Sequence, residues 1–467
     1  MALTREVAEF VACAGLGDVP SAVRELAKRS ILDGLGLAVA GARSRAAAIA
    51  RAEVGSYGAL SPESTALGIG DRLPARFAAF LNGLAIHADD YDDTQLAVGP
   101  DRVYGLLTHP TAPALPAVLA LAERRGSSGS DVLLAYTLGV EVETKVAEAI
   151  DPRHYNDGFH STATMGSIGA GAGAARVLGL DTESTAIALG IAASTAAGLR
   201  ENFGTMTKPL HAGRAAENGV VSASLAAAGF TAATNILEAR RGFFHAAGGG
   251  FDRTVIEGRL GAPWTFAEPG ISIKPHPSGS LTHPAMGAFL DLVLANDLRP
   301  GDVRRVRVGT NRHMPNALIH HRPTNELEAK FSMEFCMVIL LLERKAGLAE
   351  FTDEVVNRPD VKELIERVAF EADPAADEGG FREMTSLIDV ELVDGRVLST
   401  RAEFGKGSPA NPMKDAELVD KFLGCLDWGG VDEAAGREVA ERVLALEDQP
   451  SLDDVIAPLA AVPSVAA

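Results

Sequence analysis

The sequence predicts a mainly α fold, in which a large all-helical domain carries a smaller α+β lid domain inserted before its last helices. Three observations lead there. Helical periodicity, much of it built from small residues, runs from the start of the chain to about residue 265. After Pro269 the texture changes to β-type runs with a hairpin signal, and from Asn411 it is helical again. A length of 467 residues also exceeds the usual size of one hydrophobic core, so two domains are expected. The expected boundaries are 1–268 for the first part of the helical domain, 269–404 for the lid and 405–467 for the return to the helical domain.

The elements follow in order. Thr4 reads as an N-cap, with Val7, Phe10, Val11 and Leu16 spaced as one helix face. Further helices are predicted over 20–39, 74–88, 113–125, 129–150, 161–178, 182–197 and 211–228. Two of these carry faces of small residues, Gly166, Gly169, Gly171 and Gly173 in one and Ala212, Gly213, Ala216 and Gly219 in the other. Such faces permit close helix crossings. The run Gly169 to Gly173 lies inside a helical pattern without a preceding strand or an acidic partner, so it does not read as a dinucleotide loop. In the second domain, strands are predicted over 303–308, 386–393 and 397–403, the last two joined by the turn Asp394-Gly395. Helices over 284–296, 326–346 and 361–367 are interleaved with them.

Composition narrows the function. The formal net charge is -19, which repels nucleic acid and anionic membrane surfaces, so an anionic ligand needs a local cationic pocket. Cys13, Cys336 and Cys425 are scattered, with neither a disulfide framework nor zinc-site spacing, as suits a reducing cytoplasm. Residues 1–9 carry Arg5, Glu6 and Glu9 rather than a basic region leading to an apolar one, so no secretory signal is read. The apolar tracts are too short or too rich in Ala and Gly to suggest a membrane span. There is no Gly-x-Ser-x-Gly elbow and no HExxH helix.

Three groups of residues carry chemistry. The run His87-Ala88-Asp89-Asp90-Tyr91-Asp92-Asp93-Thr94 ends an apolar helix with four carboxylates and no opposite charge beside them. Four such groups cannot all ionise cheaply. They read as a divalent-metal site, as catalytic carboxylates or as an acidic helix end, and the EF-hand order is missing. His109, His160 and His283 each stand where a helix begins, a place that favours carboxylate ligands, although a single histidine there is commonly structural. Lys208 and Lys274 lie in loops bounded by Pro and Gly, and each reads equally well as a surface lysine or as an anchor for a substrate carboxylate.

Taken in order, HADDYDDT, THP, GFHSTATMG, GTMTKPLHAGRAAENG and KPHPSG resemble the successive signatures of the MmgE/PrpD family, over nearly the whole chain. Members of that family include 2-methylcitrate dehydratase, cis-aconitate decarboxylase and iminodisuccinate epimerase. The resemblance implies a helical domain with an α+β lid, a homodimer, a small carboxylic acid as substrate, and neither metal nor organic cofactor. It implies that Asp90, Thr94, His109, His160, Lys208 and Lys274 line the pocket.

On that reading the lysines stabilise the charge formed when a proton α to a carboxylate is removed. His109 and His160 move the proton, and Asp90 orients an imidazole or acts as a base. The stretch 95–108 is longer than the family pattern and offers Arg102 as an extra carboxylate ligand, while His276 either reaches the substrate or fills its loop. A lyase of the dehydratase type is expected first, as the family's commonest activity. Epimerisation or decarboxylation are the alternatives. A catalytically silent carboxylate-binding homologue is the reading outside enzymes, and the presence of His109, His160, Lys208 and Lys274 argues against it.

Overall fold

The computed structural model describes residues 2–95, 108–312, 314–378 and 384–460. It is mainly helical, with two small sheets. A bundle of long helices occupies the first half. Thr207–Ala227 is its hub, packed against Ser161–Leu178, Ala75–Ala88 and Thr111–Arg125, while Gly129–Ala149 covers Ser161–Leu178 from the other side. The small faces set these crossings. A β-carbon at Gly219 would lie 2.5 Å from that of Ala170, and one at Gly213 would lie 2.5 Å from the carbonyl oxygen of Phe80. Substituting either glycine pushes two helices apart.

A second hydrophobic core gathers residues between Leu281 and Leu392. There β3 (Val303–Thr310) and its neighbours form a four-stranded sheet in the order β4-β3-β5-β6. β3 pairs antiparallel with β5 (Ser386–Leu392), which turns through Asp394-Gly395 into β6 (Val397–Ala402). The Gly395 φ of 89° is one that glycine adopts freely. β4 (Val368–Ala372) adds a parallel edge. Helices His283–Ala295 and Met333–Glu343 pack on the sheet. The short pair β1 (Ser64–Thr65) and β2 (Arg72–Leu73) lies apart. Helices Asp415–Gly429 and Glu433–Leu444 return to pack on Ser21–Gly41 in the first core.

Several local expectations are corrected. The first helix begins at Leu3 with Ala2 at its N-cap, and Thr4 is not the cap. The Thr4 hydroxyl is buried and instead donates to Glu238 at 2.6 Å while accepting from the Leu237 amide. Helices Thr111–Arg125 and Thr207–Ala227 begin earlier than predicted, with Pro113 and Pro209 inside their first turns. A first-turn amide has no helical partner to lose, so proline marks the turn and not its first residue. The helix predicted over 326–346 is two, Glu326–Ala329 and Met333–Glu343, because Ser332 breaks the first to cap the second. Among the described residues no helix is long and apolar enough to cross a membrane.

Candidate active site

Where the bundle meets the second core, the C-terminal end of Ala75–Ala88 faces the first turns of three helices, Thr111–Arg125, Ser161–Leu178 and Thr207–Ala227. Helix N-termini present unpaired amides and positive dipole ends, a setting that favours anions. Each helix brings one residue to its mouth: His109 ahead of Thr111, His160 at the N-cap of Ser161–Leu178, and Lys208 in the first turn of Thr207–Ala227. Lys274 arrives from an extended segment pinned on both sides. Ser272 pairs with Thr94, and the Ile273 amide donates to Gly407.

The four carboxylates of the acidic run have four different environments. Asp90 holds a left-handed φ of 50°, a conformation that aspartate tolerates better than most residues. Asp89 accepts from the buried Lys330 ammonium at 2.9 Å. Asp90 pairs with Lys208 and with Lys274, whose Nζ lies 3.1 Å from the carboxylate and donates to the Asp90 backbone oxygen at 2.7 Å. Asp92 takes both neighbouring imidazoles on one oxygen, His87 Nδ1 at 2.8 Å and His109 Nδ1 at 3.3 Å. Asp93 is bound by the amide and hydroxyl of Thr111 at 3.2 and 2.6 Å.

These partners decide which carboxyls stay charged. Burial alone would raise Asp90, yet the Lys208 and Lys274 ammoniums outweigh it and hold the group well below the usual carboxylate range. Burial likewise opposes ionisation of Asp92, and His109 and His87 overcome it. Asp93 has only Thr111 against burial and against the charges of Asp92 and Asp33, and it is pushed up to about 7.

The histidines form a cluster beside the lysines. The His87 ring stands edge-on to His109, with centroids 4.5 Å apart, and stacks at 5.8 Å on His160. The Nδ1 atoms of His160 and His211 lie 3.0 Å apart. The His109 amide donates to Thr162 at 3.1 Å, which ties its loop to the next helix. Burial pushes His87 down to about 3 and lowers His109 and His160, so all three are neutral bases at neutral pH. Burial also lowers Lys274, against the pull of Asp90. Lys208 Nζ is 5.5 Å from the ring centroids of both Phe203 and Phe331, which place aromatic walls around it.

Of the residues anticipated from sequence, Asp90, His109, His160, Lys208 and Lys274 stand together here, none more than 5% exposed. Thr94 is adjacent, its hydroxyl 3.4 Å from that of Ser280. His276 faces elsewhere: its Nδ1 donates to the Ala346 carbonyl at 2.9 Å and its ring packs edge-on to His283. It fills its loop and no bond ties it to the Asp90 cluster among the described residues. Arg102 lies outside the described residues. The 95–108 stretch has both ends fixed at the site, by the paired backbone bonds between Gln95 and Thr108.

Sequence reasoning passed over His87, Asp92 and His211. The first two lie in the acidic run, and their signal was a histidine five residues before a carboxylate across a helix end. His211 follows Lys208 by three residues, the spacing that puts two side chains on one helix face.

His87, Asp90, Asp92 and His109 each offer one ligand atom, and those atoms lie within 4.8 Å of one another, a spacing a metal ion can use. The charges oppose that use. Both Asp90 oxygens face ammonium groups that would repel a cation. Two ammoniums, three helix N-termini and neutral imidazoles suit a ligand with several carboxylates.

Two family models match the chain over most of its length. The family model described as MmgE/PrpD N-terminal domain matches residues 5–255, and that described as MmgE/PrpD C-terminal domain matches residues 276–446. The chain is 30% identical to a cis-aconitate decarboxylase of Homo sapiens, over 93% of this chain and 90% of the relative. It is 28% identical to a cis-aconitate decarboxylase of Aspergillus terreus, over 95% of this chain and 93% of the relative.

Proposed function

The chain belongs to the MmgE/PrpD family, and from that premise we propose that it is a lyase that removes carbon dioxide from a small unsaturated tricarboxylate of the cis-aconitate type. The observation that carries this reading is the double hold of Lys208 and Lys274 on Asp90. A substrate with several carboxylates takes over those ammoniums, and Asp90 keeps them in place until it does.

In such a substrate the departing carboxylate sits on a CH2 group next to a carbon-carbon double bond. Breaking the bond between that CH2 and its carboxylate releases carbon dioxide and leaves an electron pair. The pair shifts through the double bond to the alkene carbon that bears the far carboxylate, which shares the charge as an enediolate. One proton then adds to that carbon. The trianion thus takes one proton and yields a dianion and carbon dioxide. Lys208 and Lys274 hold the far carboxylate as its charge grows, and His109 and His160 stand beside them to move the proton. The relatives' decarboxylase names support putting this reaction ahead of dehydration in the proposal.

Dehydration of a hydroxy tricarboxylate is the second reading. The observation in its favour is the neutral state of His87, His109 and His160, since a neutral imidazole is the base that removes an α-proton. The same assay tests both. Proton NMR in deuterated buffer with cis-aconitate, citrate, 2-methylcitrate and iminodisuccinate is expected to show loss of cis-aconitate with one deuteron in the new CH2 group. Faster loss of water from 2-methylcitrate would move the second reading to first place. A homodimer in the cytoplasm completes the proposal, consistent with three cysteines that form no disulfide.

A further inference from the structure

The turn from Asp90 to Asp92 carries the carboxylate that pairs with the site lysines and the one that faces the imidazoles. Two ammonium groups hold its backbone. Lys274 Nζ donates to the Asp90 carbonyl at 2.7 Å, and Lys421 Nζ donates to the Tyr91 carbonyl at 2.9 Å. These carbonyls belong to consecutive peptide planes, one joining Asp90 to Tyr91 and the next joining Tyr91 to Asp92. The first clamp is a residue of the site itself. The second comes from helix Asp415–Gly429, in the last stretch of the chain.

Lys421 is fixed from two further directions. Its Nζ pairs at 2.6 Å with Asp33, on helix Ser21–Gly41, and lies 3.9 Å from the centroid of the Tyr91 ring. Lys421, Asp33 and Tyr91 are all buried. The Tyr91 hydroxyl donates to the Pro275 carbonyl at 3.1 Å, so the residue that Lys421 holds is also tied to the backbone beside Lys274.

The two clamps have different fates when substrate binds. On the decarboxylase reading above, the substrate carboxylates draw Lys208 and Lys274 away from Asp90. Asp90 then has to keep its left-handed φ of 50° without those ion pairs, and such a conformation persists only where the surroundings impose it. Lys330 on Asp89 and Thr111 on Asp93 fix the ends of the acidic run but not its middle. Lys421 has its own carboxylate in Asp33, and so it stays when the other two ammoniums leave.

We propose that Lys421 is a positioning residue that holds the Asp90 to Asp92 turn in place while substrate occupies Lys208 and Lys274, an inference that rests on the decarboxylase reading. It acts through the Tyr91 carbonyl, on the peptide that leads into Asp92. Asp92 faces Nδ1 of His87 and of His109, so a tilt of that peptide moves the charge that orients both rings. The Lys421 side chain itself takes no part in the chemistry.

The test replaces Lys421 and Asp33 together, Lys421→Met with Asp33→Asn, because the first change alone strands a buried carboxyl. Steady-state kinetics of the whole protein with cis-aconitate compares this pair of changes in the wild type and in Asp92→Asn. In the wild type the pair should lower kcat about tenfold or more and leave KM within about threefold, since the ligand-free turn still has Lys208 and Lys274 to hold it. In Asp92→Asn the same pair should lower kcat by less than about threefold, because the group through which Lys421 acts is already lost. An unchanged kcat, a loss confined to KM, or an equal loss in both backgrounds overturns the positioning role and leaves the decarboxylase reading standing. A wild type that turns over no tricarboxylate removes that reading and the role with it. Should the paired variant fail to fold, a crystal structure of the wild type with tricarballylate decides the matter. Lys421 Nζ is expected to remain within hydrogen-bond distance of the Tyr91 carbonyl while both site lysines meet the ligand, and a Tyr91 carbonyl that has parted from Lys421 would contradict the role.

Discussion

Lys274 holds Asp90 twice, through the backbone oxygen at 2.7 Å and the carboxylate at 3.1 Å, and so ties the segment that leads into the second core to the turn that ends an apolar helix of the first. Lys208 completes the grip from a third element. The pair thereby fixes where two positive charges wait for the substrate.

Lys208→Ala should lower kcat/KM by about 10² to 10³, the usual effect of removing one donor from a site that stabilises developing charge. Steady-state kinetics measures it, and the melting temperature should move by only a few degrees. Unchanged kcat/KM would remove Lys208 from the site.

Asp90→Asn leaves two buried ammoniums facing each other without a carboxylate. The expected cost is about 3 to 5 kcal/mol of folding stability, measured by urea unfolding. Citrate added to the variant should recover much of the loss by supplying the missing negative charge and binding only the folded form. A variant as stable as the wild type, with no response to citrate, would contradict the role given to Asp90.

Asp93 has a folded pKa of about 7 against an ordinary value of 3.8. Between those values the folded chain holds a proton that the unfolded chain releases, so the stability from this group is complete below about pH 4 and lost as pH rises through about 7. Asp93→Asn cannot lose that proton. The stability of wild type relative to the variant should therefore fall from pH 4 to pH 7, by an amount on the order of 4 kcal/mol. Urea unfolding of both proteins across that range tests it, and a pH-independent difference would show that Asp93 is charged in the folded state.

Asp92 accepts from Nδ1 of His87 at 2.8 Å and stands 3.3 Å from Nδ1 of His109, so its charge faces the Nδ1 side of each ring. Asp92→Asn keeps the shape but loses the charge that supports protonation of His109. The variant should lower kcat more than it changes KM, and the acid limb of the kcat profile should move to lower pH as the imidazole becomes a weaker base. Equal losses in binding and turnover, with an unmoved pH profile, would make Asp92 a packing residue.

Much of the fold is legible in the sequence because it rests on local rules. The helical periodicity, the glycine-bearing crossing faces and the Asp394-Gly395 hairpin each depend on residues close together in the chain. What escaped depends on distant partners. Thr4 looks like a cap until Glu238 and Leu237 occupy its hydroxyl. β4 follows a helix without a turn signal and is held by its pairing with β3. At the site, the motifs point to Asp90, His109, His160, Lys208 and Lys274, but they do not say how four adjacent aspartates divide their work. That division follows from the φ of Asp90 and from Lys330, Lys208, Lys274, His87, His109 and Thr111, which only the helix crossings bring together. His211 escaped for the same reason: its meaning lies in a 3.0 Å approach to His160 from another helix.

The central claim is that substrate carboxylates take Lys208 and Lys274 over from Asp90. The most direct measurement is a crystal structure of the protein with tricarballylate, a saturated tricarboxylate that cannot decarboxylate by the proposed route. Both Nζ atoms within hydrogen-bond distance of ligand carboxylate oxygens, with His109 and His160 beside the central carbons, is the predicted result. Tricarballylate bound elsewhere, with both lysines still on Asp90, would contradict the account.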